Sequence, residues 1–121
     1  MAKHLETGQS GEAAAADYLL QKGWRIAARN WRLGRYEVDI IGWTPENILV
    51  FVEVKTRSGQ GFGGPEEAVT AHKQAMLLRA AGEYMQSIDY EWEIRFDVVA
   101  VILKQGKVLE VRHVEDTFFP M

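Results

Sequence analysis

The sequence predicts one α/β domain in which a mixed central sheet is flanked by helices. Three observations predict it. Apolar, β-branched runs bounded by turn residues recur at 38–41, 48–54, 92–103 and 108–114. Two other stretches, GEAAAADYLLQKG and the segment ending near Ser87, carry apolar residues at helical spacing. A chain of 121 residues is long enough for a real core and too short for two, so residues 1–121 form a single domain. The element order is helix, strand, hairpin, helix and two strands.

Thr7 or Ser10 can cap the first helix, which ends at Gly23, a helix-terminating glycine. Its apolar stripe takes Ala16, Leu19 and Leu20, and Glu12 lies one turn before Ala16 on the same stripe. That glutamate faces the body of the protein, where it either reaches other carboxylates or simply complements the helix dipole. A short strand from about Arg25 to Trp31 follows, and Leu33-Gly34 turns the chain. Residues 35–57, RYEVDIIGWTPENILVFVEVKTR, then read as two strands joined at Thr44-Pro45-Glu46-Asn47, because proline presets φ and asparagine tolerates the left-handed region.

After Arg57 the stretch SGQGFGG has no periodicity and lacks the lysine and hydroxyl residue of a phosphate loop. It either closes over a substrate or only connects. Pro65 with Glu66 and Glu67 signals a helix start, and Thr70 offers a second start. The main helix runs to about Ser87 with Ala75, Leu78, Ala81, Gly82 and Met85 on its stripe. His72 and Lys73 fall in its first turn, where a cation opposes the dipole; Lys73 is either placed for an anion or merely solvated. A strand from Trp92 to Leu103 turns at Lys104-Gln105-Gly106-Lys107 into a last strand, Val108 to Val114. Asp97, inside an apolar strand, either supports a site or partners Arg95 or Arg112. Phe118 and Phe119 either pack back onto the fold or serve a partner.

Asp39 is the residue that calls for an explanation, since aspartate is depleted from strands and here sits within Val-Asp-Ile-Ile. If Trp43 lies opposite Leu49, Asp39 falls opposite Glu53, and Lys55 projects from the same face as Glu53. Two carboxylates facing each other across a ladder repel, so they suit a bound divalent cation, and a lysine beside them can hold a phosphate oxygen or a water. That is the chemistry of metal-assisted phosphodiester hydrolysis. The alternation of Val52 and Val54 with Glu53, Lys55 and Arg57 equally describes an ordinary strand with one wet face.

Composition narrows the classes. With no cysteine, disulfides and thiolate metal sites are excluded. No apolar run reaches membrane-spanning length and MAKHLETGQSG lacks a signal peptide's hydrophobic region, so a cytoplasmic protein without a membrane partner is expected. A net charge of −3 argues against coating nucleic acid by bulk electrostatics. Arg25, Arg29, Arg32 and Arg35 are clustered before the acidic hairpin, as either a phosphate-binding rim or a solvated basic edge.

The order of elements, with Asp39 followed by Glu53-x-Lys55 on the central hairpin, resembles the PD-(D/E)XK nuclease superfamily, whose restriction-endonuclease-like core is αβββαβ. More closely, the chain resembles the YraN-like family of small bacterial proteins, predicted endonucleases related in fold to Holliday-junction resolvases. The likeness spans Gly11-Glu12, Ala15, Tyr18-Leu19, Gly23, Arg29-Asn30, Arg32, Glu37-Val38-Asp39-Ile40-Ile41, Phe51 to Arg57, Phe62-Gly63, Lys73 and Arg95 to Val99. Tyr36 departs from it, since the family usually has glycine before Glu-x-Asp. The resemblance implies a DNA endonuclease using Mg²⁺ or Mn²⁺, with DNA expected over RNA and branched or structured substrates in view. Asp39 and Glu53 would be metal ligands assisted by Glu12, and Lys55 would position or activate water. Glu37 and Lys73 would be auxiliary, with Arg25, Arg29, Arg32, Arg35 and Arg57 contacting the nucleic acid. Cutting two strands would call for a homodimer. The alternative is a non-catalytic nucleic-acid-binding or protein-interaction module on the same fold.

Overall fold

The turn at Thr44 closes the middle of the chain into a hairpin of β2 (Tyr36–Trp43) and β3 (Leu49–Ser58), with Trp43 opposite Leu49. Thr44 Oγ1 accepts the N–H groups of Glu46 and Ile48, and Asn47 takes φ 69°, a conformation asparagine tolerates. β1 (Arg25–Leu33) joins β2 antiparallel through Gly34, whose φ of 59° suits a residue without a Cβ. Helix α2 (Ala71–Ser87) then crosses over so that β4 (Ile94–Lys104) lies parallel to β3. β5 (Lys107–Val114) returns antiparallel through Gln105 and Gly106, both at positive φ as a tight hairpin turn requires. With α1 (Lys3–Gln21) at the start, the computed structural model contains the αβββαβ order followed by β5, and the sheet order is β1-β2-β3-β4-β5. It describes residues 3–58 and 70–117, with side chains from Gly11 onward.

The helices cover opposite faces. On one, Ala15, Ala16 and Leu19 of α1 pack with Trp24, Ile40, Val50, Val52, Val99, Val101 and Leu103; on the other, Leu77, Ala80 and Ala81 of α2 pack with Val38, Ile41, Leu49, Phe51 and Phe96. The central strands β3 and β4 are thus buried on both sides, which is why they read as nearly continuous apolar runs. Among the described residues no helix is long and apolar enough to cross a membrane.

Several expectations are corrected. α1 begins at Lys3, so Thr7 and Ser10 lie inside it rather than capping it. Its buried face runs through Ala15, Ala16 and Leu19, leaving Leu20 exposed. α2 is capped by Thr70, whose side chain accepts the Lys73 N–H at 3.1 Å. Its stripe is partly rotated from the expected one: Ala81 is buried and Met85 packs on the core as expected, but Leu77 and Ala80 are buried with them, whereas Ala75, Leu78 and Gly82 face solvent. The rotation follows Tyr84, which packs edge-on against both Trp31 and Phe51. β1 extends to Leu33. β4 starts at Ile94, because Tyr90 donates its hydroxyl to the Glu93 carbonyl at 2.6 Å and leaves Trp92 exposed in the intervening bend. The glycine-dense loop, the Pro65 helix start and Phe118 with Phe119 lie outside the described residues.

Asp97 is fully buried on β4 and is an anchor of the fold. Arg95 donates to both its oxygens at 2.9 Å, His113 Nε2 lies 2.8 Å from Oδ2, and the Asp116 N–H reaches Oδ1 at 3.0 Å. Burial opposes its charge, yet the His113, Arg95 and Asp116 hydrogen bonds outweigh burial and hold the carboxyl below the usual aspartate range. Arg112 pairs instead with Glu110.

Candidate functional site

The β2–β3 ladder stops at Ile40–Val52, one pair short of Asp39 and Glu53. Beyond that point the Val54 N–H donates to Asp39 Oδ2 at 2.8 Å, so a side chain takes the place of the next backbone acceptor. The strand also turns over here. Tyr36 and Val38 pack on the α2 side, Ile40 on the α1 side, and Ile41 and Trp43 on the α2 side again, which breaks the strict alternation of a strand at Asp39. Across on β1, Asn30 adopts φ 53° in mid-strand, and the pairing passes from Arg29–Ile40 to Trp31–Val38. Both strands therefore kink at one level, and Asp39 fills the opening.

Glu53 is buried beside it. Lys55 Nζ stands 3.3 Å and Lys73 Nζ 3.4 Å from Glu53 Oε2. Lys73 reaches it because it sits one turn before Leu77 on the inward face of α2. From the other helix, Glu12 lies one turn before Ala15 and Ala16 and meets Arg29 at 3.6 Å, while Glu37 meets Arg32 at 3.5 Å. α1 comes this close because Gly11 has no side chain: a Cβ there would overlap Thr56 Oγ1 and Cγ2 on β3.

Burial first, then the Glu53 carboxylate, with smaller contributions from Glu12 and Glu37, push the Asp39 carboxyl up to about 7 against the opposing pull of the Val54 N–H. Asp39 makes no ion pair among the described residues. Every other carboxylate of the group has a cation beside it.

The structure thus brings Asp39, Glu53, Lys55, Lys73, Glu12 and Glu37 together. Arg57 is half-buried two residues past Lys55, with its guanidinium on the Thr56 carbonyl at 3.0 Å. The expected arginine rim is not continuous. Arg25 stands at the far end of the sheet, over the Trp43 ring and bonded to Asn47, because it pairs with the turn end of β2. Arg29 and Arg32 are occupied by Glu12 and Glu37, and Arg35 lines a recess beside α2 together with Glu37 and Lys73.

Among the described residues no three carboxylate or imidazole side chains converge closely enough to cage a cation alone, so the set Asp39, Glu53 and Glu12 is not preassembled. The donors nonetheless fit Mg²⁺ or Mn²⁺. Such hard ions commonly take one or two carboxylates, with water and substrate phosphate completing the shell. An aspartate raised first by burial and then by neighbouring carboxylates, with no ion pair among the described residues, is the group that gains most from a cation.

An αβββαβ domain with an acidic opening in its central hairpin is the class that fold and geometry define. The chain belongs to the family described as Uncharacterised protein family UPF0102, the YraN-like family, whose pattern it matches over residues 11–101. Similar relatives include UPF0102 protein FP2501 of Flavobacterium psychrophilum, 44% identical over 119 residues and 98% of both chains. The UPF0102 protein of Bacteroides thetaiotaomicron is 44% identical over 99% of this chain and 98% of that one. UPF0102 protein RHA1_ro06551 of Rhodococcus jostii is 44% identical over 98% of this chain and all of that one. Among solved structures, Pyrococcus furiosus SfsA in complex with Ca²⁺ aligns with 93% of this chain and 63% of that chain, at 13% identity and a TM-score of 0.34.

Proposed function

We propose that the protein is a divalent-metal-dependent endonuclease that hydrolyses phosphodiester bonds in DNA, including branched or otherwise structured DNA. The observation that carries this reading is the Asp39 carboxyl, half-buried at a break in the ladder against Glu53 and without an ion pair among the described residues. Asp39 and Glu53 would hold Mg²⁺ or Mn²⁺, and Glu12 would assist by giving up Arg29. Such an ion, when bound, offsets charge on the phosphoryl group and lowers the pKa of bound water.

The chain's own residues supply the rest. Lys55, only 17% exposed and 3.3 Å from Glu53, is held where an ammonium group can orient a water or a phosphate oxygen toward the carboxylates. Lys73 holds Glu53 from the other side and keeps that carboxylate in place. Arg57 follows Lys55 along β3 toward the approaching backbone. The Val54 N–H fixes the orientation of the Asp39 carboxylate.

The test is cleavage of branched, flapped and duplex DNA with Mg²⁺ or Mn²⁺, by wild type and by a variant carrying both Asp39→Ala and Glu53→Ala. The double variant should lose metal-dependent cleavage while keeping its circular-dichroism spectrum. Equal cleavage by both proteins would refute the assignment.

A further inference from the structure

Of the four arginines between residues 25 and 35, only Arg35 makes neither an ion pair nor a cation–π contact among the described residues. It lines a groove of about 560 Å³ between the β1–β2 turn and the outer surface of α2, with Tyr36, His72, Met76, Arg79 and Glu83. The Arg79 guanidinium lies over the Tyr36 ring at 5.7 Å and likewise makes no ion pair among the described residues. Around the carboxylates the cations are matched: Arg29 to Glu12, Arg32 to Glu37, and Lys55 and Lys73 to Glu53. Among the described residues the groove thus holds two guanidinium groups without an ion pair, Arg35 and Arg79, and one acid, Glu83.

The groove leads to the site. A smaller recess of about 120 Å³ shares Arg35, Tyr36 and Met76 with it and adds Glu37 and Lys73. Lys73 touches Glu53, and Glu37 acts on Asp39, so an extended ligand seated at the carboxylates can continue into the groove.

The groove combines a flat ring with a guanidinium over its face, a thioether and unpaired cations. An acidic peptide would use the cations and leave the ring unused. A duplex keeps its bases stacked inside and offers no base face to a ring. An unstacked nucleotide uses both features, because every base has a π-face and carries a phosphate. We infer that this groove binds a single-stranded nucleic-acid segment leaving the Asp39–Glu53 site, with a base stacked at Tyr36 and Arg79 and backbone phosphate on Arg35. The inference rests on the nuclease reading and narrows it to substrates with a single-stranded arm.

The test is fluorescence anisotropy with labelled short oligo(dT), oligo(U) and a duplex of equal length, in chelator-containing buffer so that nothing is cleaved. Tyr36→Ala should weaken oligo(dT) binding by about tenfold, the loss of one stacked base. Tyr36→Phe should bind like wild type. Arg35→Gln, at an exposed position, should weaken binding and reduce the slope of log K against log salt by about 0.7. The duplex should bind more weakly than oligo(dT). Equal binding of oligo(U) would assign recognition to base and phosphate, and weaker binding would assign the arm to DNA; both support the groove. Oligo(dT) binding unchanged in Tyr36→Ala and Arg35→Gln, or duplex preferred by wild type, overturns it.

Failure here is separable from failure of the nuclease assignment. The variant with Asp39→Ala and Glu53→Ala should still bind oligo(dT), and Tyr36→Ala should still bind Mn²⁺ by calorimetry. Metal-dependent cleavage with Tyr36-independent oligo(dT) binding rejects the groove alone. Tyr36-dependent binding without cleavage supports the groove and rejects the nuclease.

Discussion

Replacing Asp39 with asparagine should stabilise the metal-free protein, and by an amount that depends on pH. Its carboxyl is raised from the ordinary 3.8 to about 7, chiefly by burial and then by Glu53. The native state thus keeps a proton that the unfolded chain has already lost between those values. A state that binds the extra proton loses stability as pH rises, so the native state is progressively disfavoured from about pH 4 to about pH 7. At about 1.4 kcal/mol per pKa unit, the full cost of ionising Asp39 approaches about 4 kcal/mol, an upper figure because water entering the opening would screen it. The Asp39→Asn side chain would keep an oxygen for the Val54 N–H and remove the ionisation. Urea unfolding of both proteins in chelator-treated buffer isolates the effect, because all other titrating groups are common to both. The stability gap should be near zero at pH 4, widen with pH, and level off above about pH 7. A gap constant across that range would refute the crowding of Asp39 by burial and Glu53.

Three further outcomes are expected. Asp97→Asn should lower stability by about 3 kcal/mol at neutral pH, because Arg95 and His113 lose a buried charged partner. Since the folded-state carboxyl is held below its ordinary value, that contribution should fade as pH falls below about 4, which thermal melts at pH 7 and pH 3 would show. Gly11→Ala should cost about 1–3 kcal/mol by overpacking against Thr56, and Thr56→Ala should recover most of it; a double-mutant cycle with no coupling would contradict the contact. If the nuclease reading holds, Lys55→Met should lower kcat by about 10²–10⁴-fold and Lys73→Met, which removes a neighbour of Glu53, by about 10–100-fold, as measured in single-turnover cleavage.

The hairpin was legible because its signals are local. Proline and asparagine mark the turn, and the apolar alternation admits the register that places Trp43 opposite Leu49. Asp39 also stood out locally, as a poor strand former between good ones. The break at Asp39 was not legible, since it depends on a matching kink at Asn30, and asparagine in a strand carries no mark of φ 53°. Nor were the partners of the arginines. Sequence shows Arg29 and Arg32 as neighbours in a basic cluster, but only the packing of α1 brings Glu12 to Arg29. For α2, two stripes one residue apart are both apolar. The contacts of Tyr84 with Trp31 and Phe51 select between them, and so decide that Lys73 reaches Glu53.

The two outer strands of the sheet bear on how the protein behaves at high concentration. A flat outer strand with free N–H and C=O groups is a template for a second copy to add on and begin a fibre. β1 is poorly suited to that role: its pairing shifts register between Ile26 and Ala28, Asn30 bends it, and exposed Arg25, Arg29 and Arg32 would meet like charges on an incoming strand. β5 is less well guarded, with Val108 and Leu109 exposed, although Lys107, Glu110 and Arg112 are interspersed among its apolar residues. The arginines of β1 thus act also as gatekeepers against self-association, and replacing them to probe ligand binding removes part of that guard.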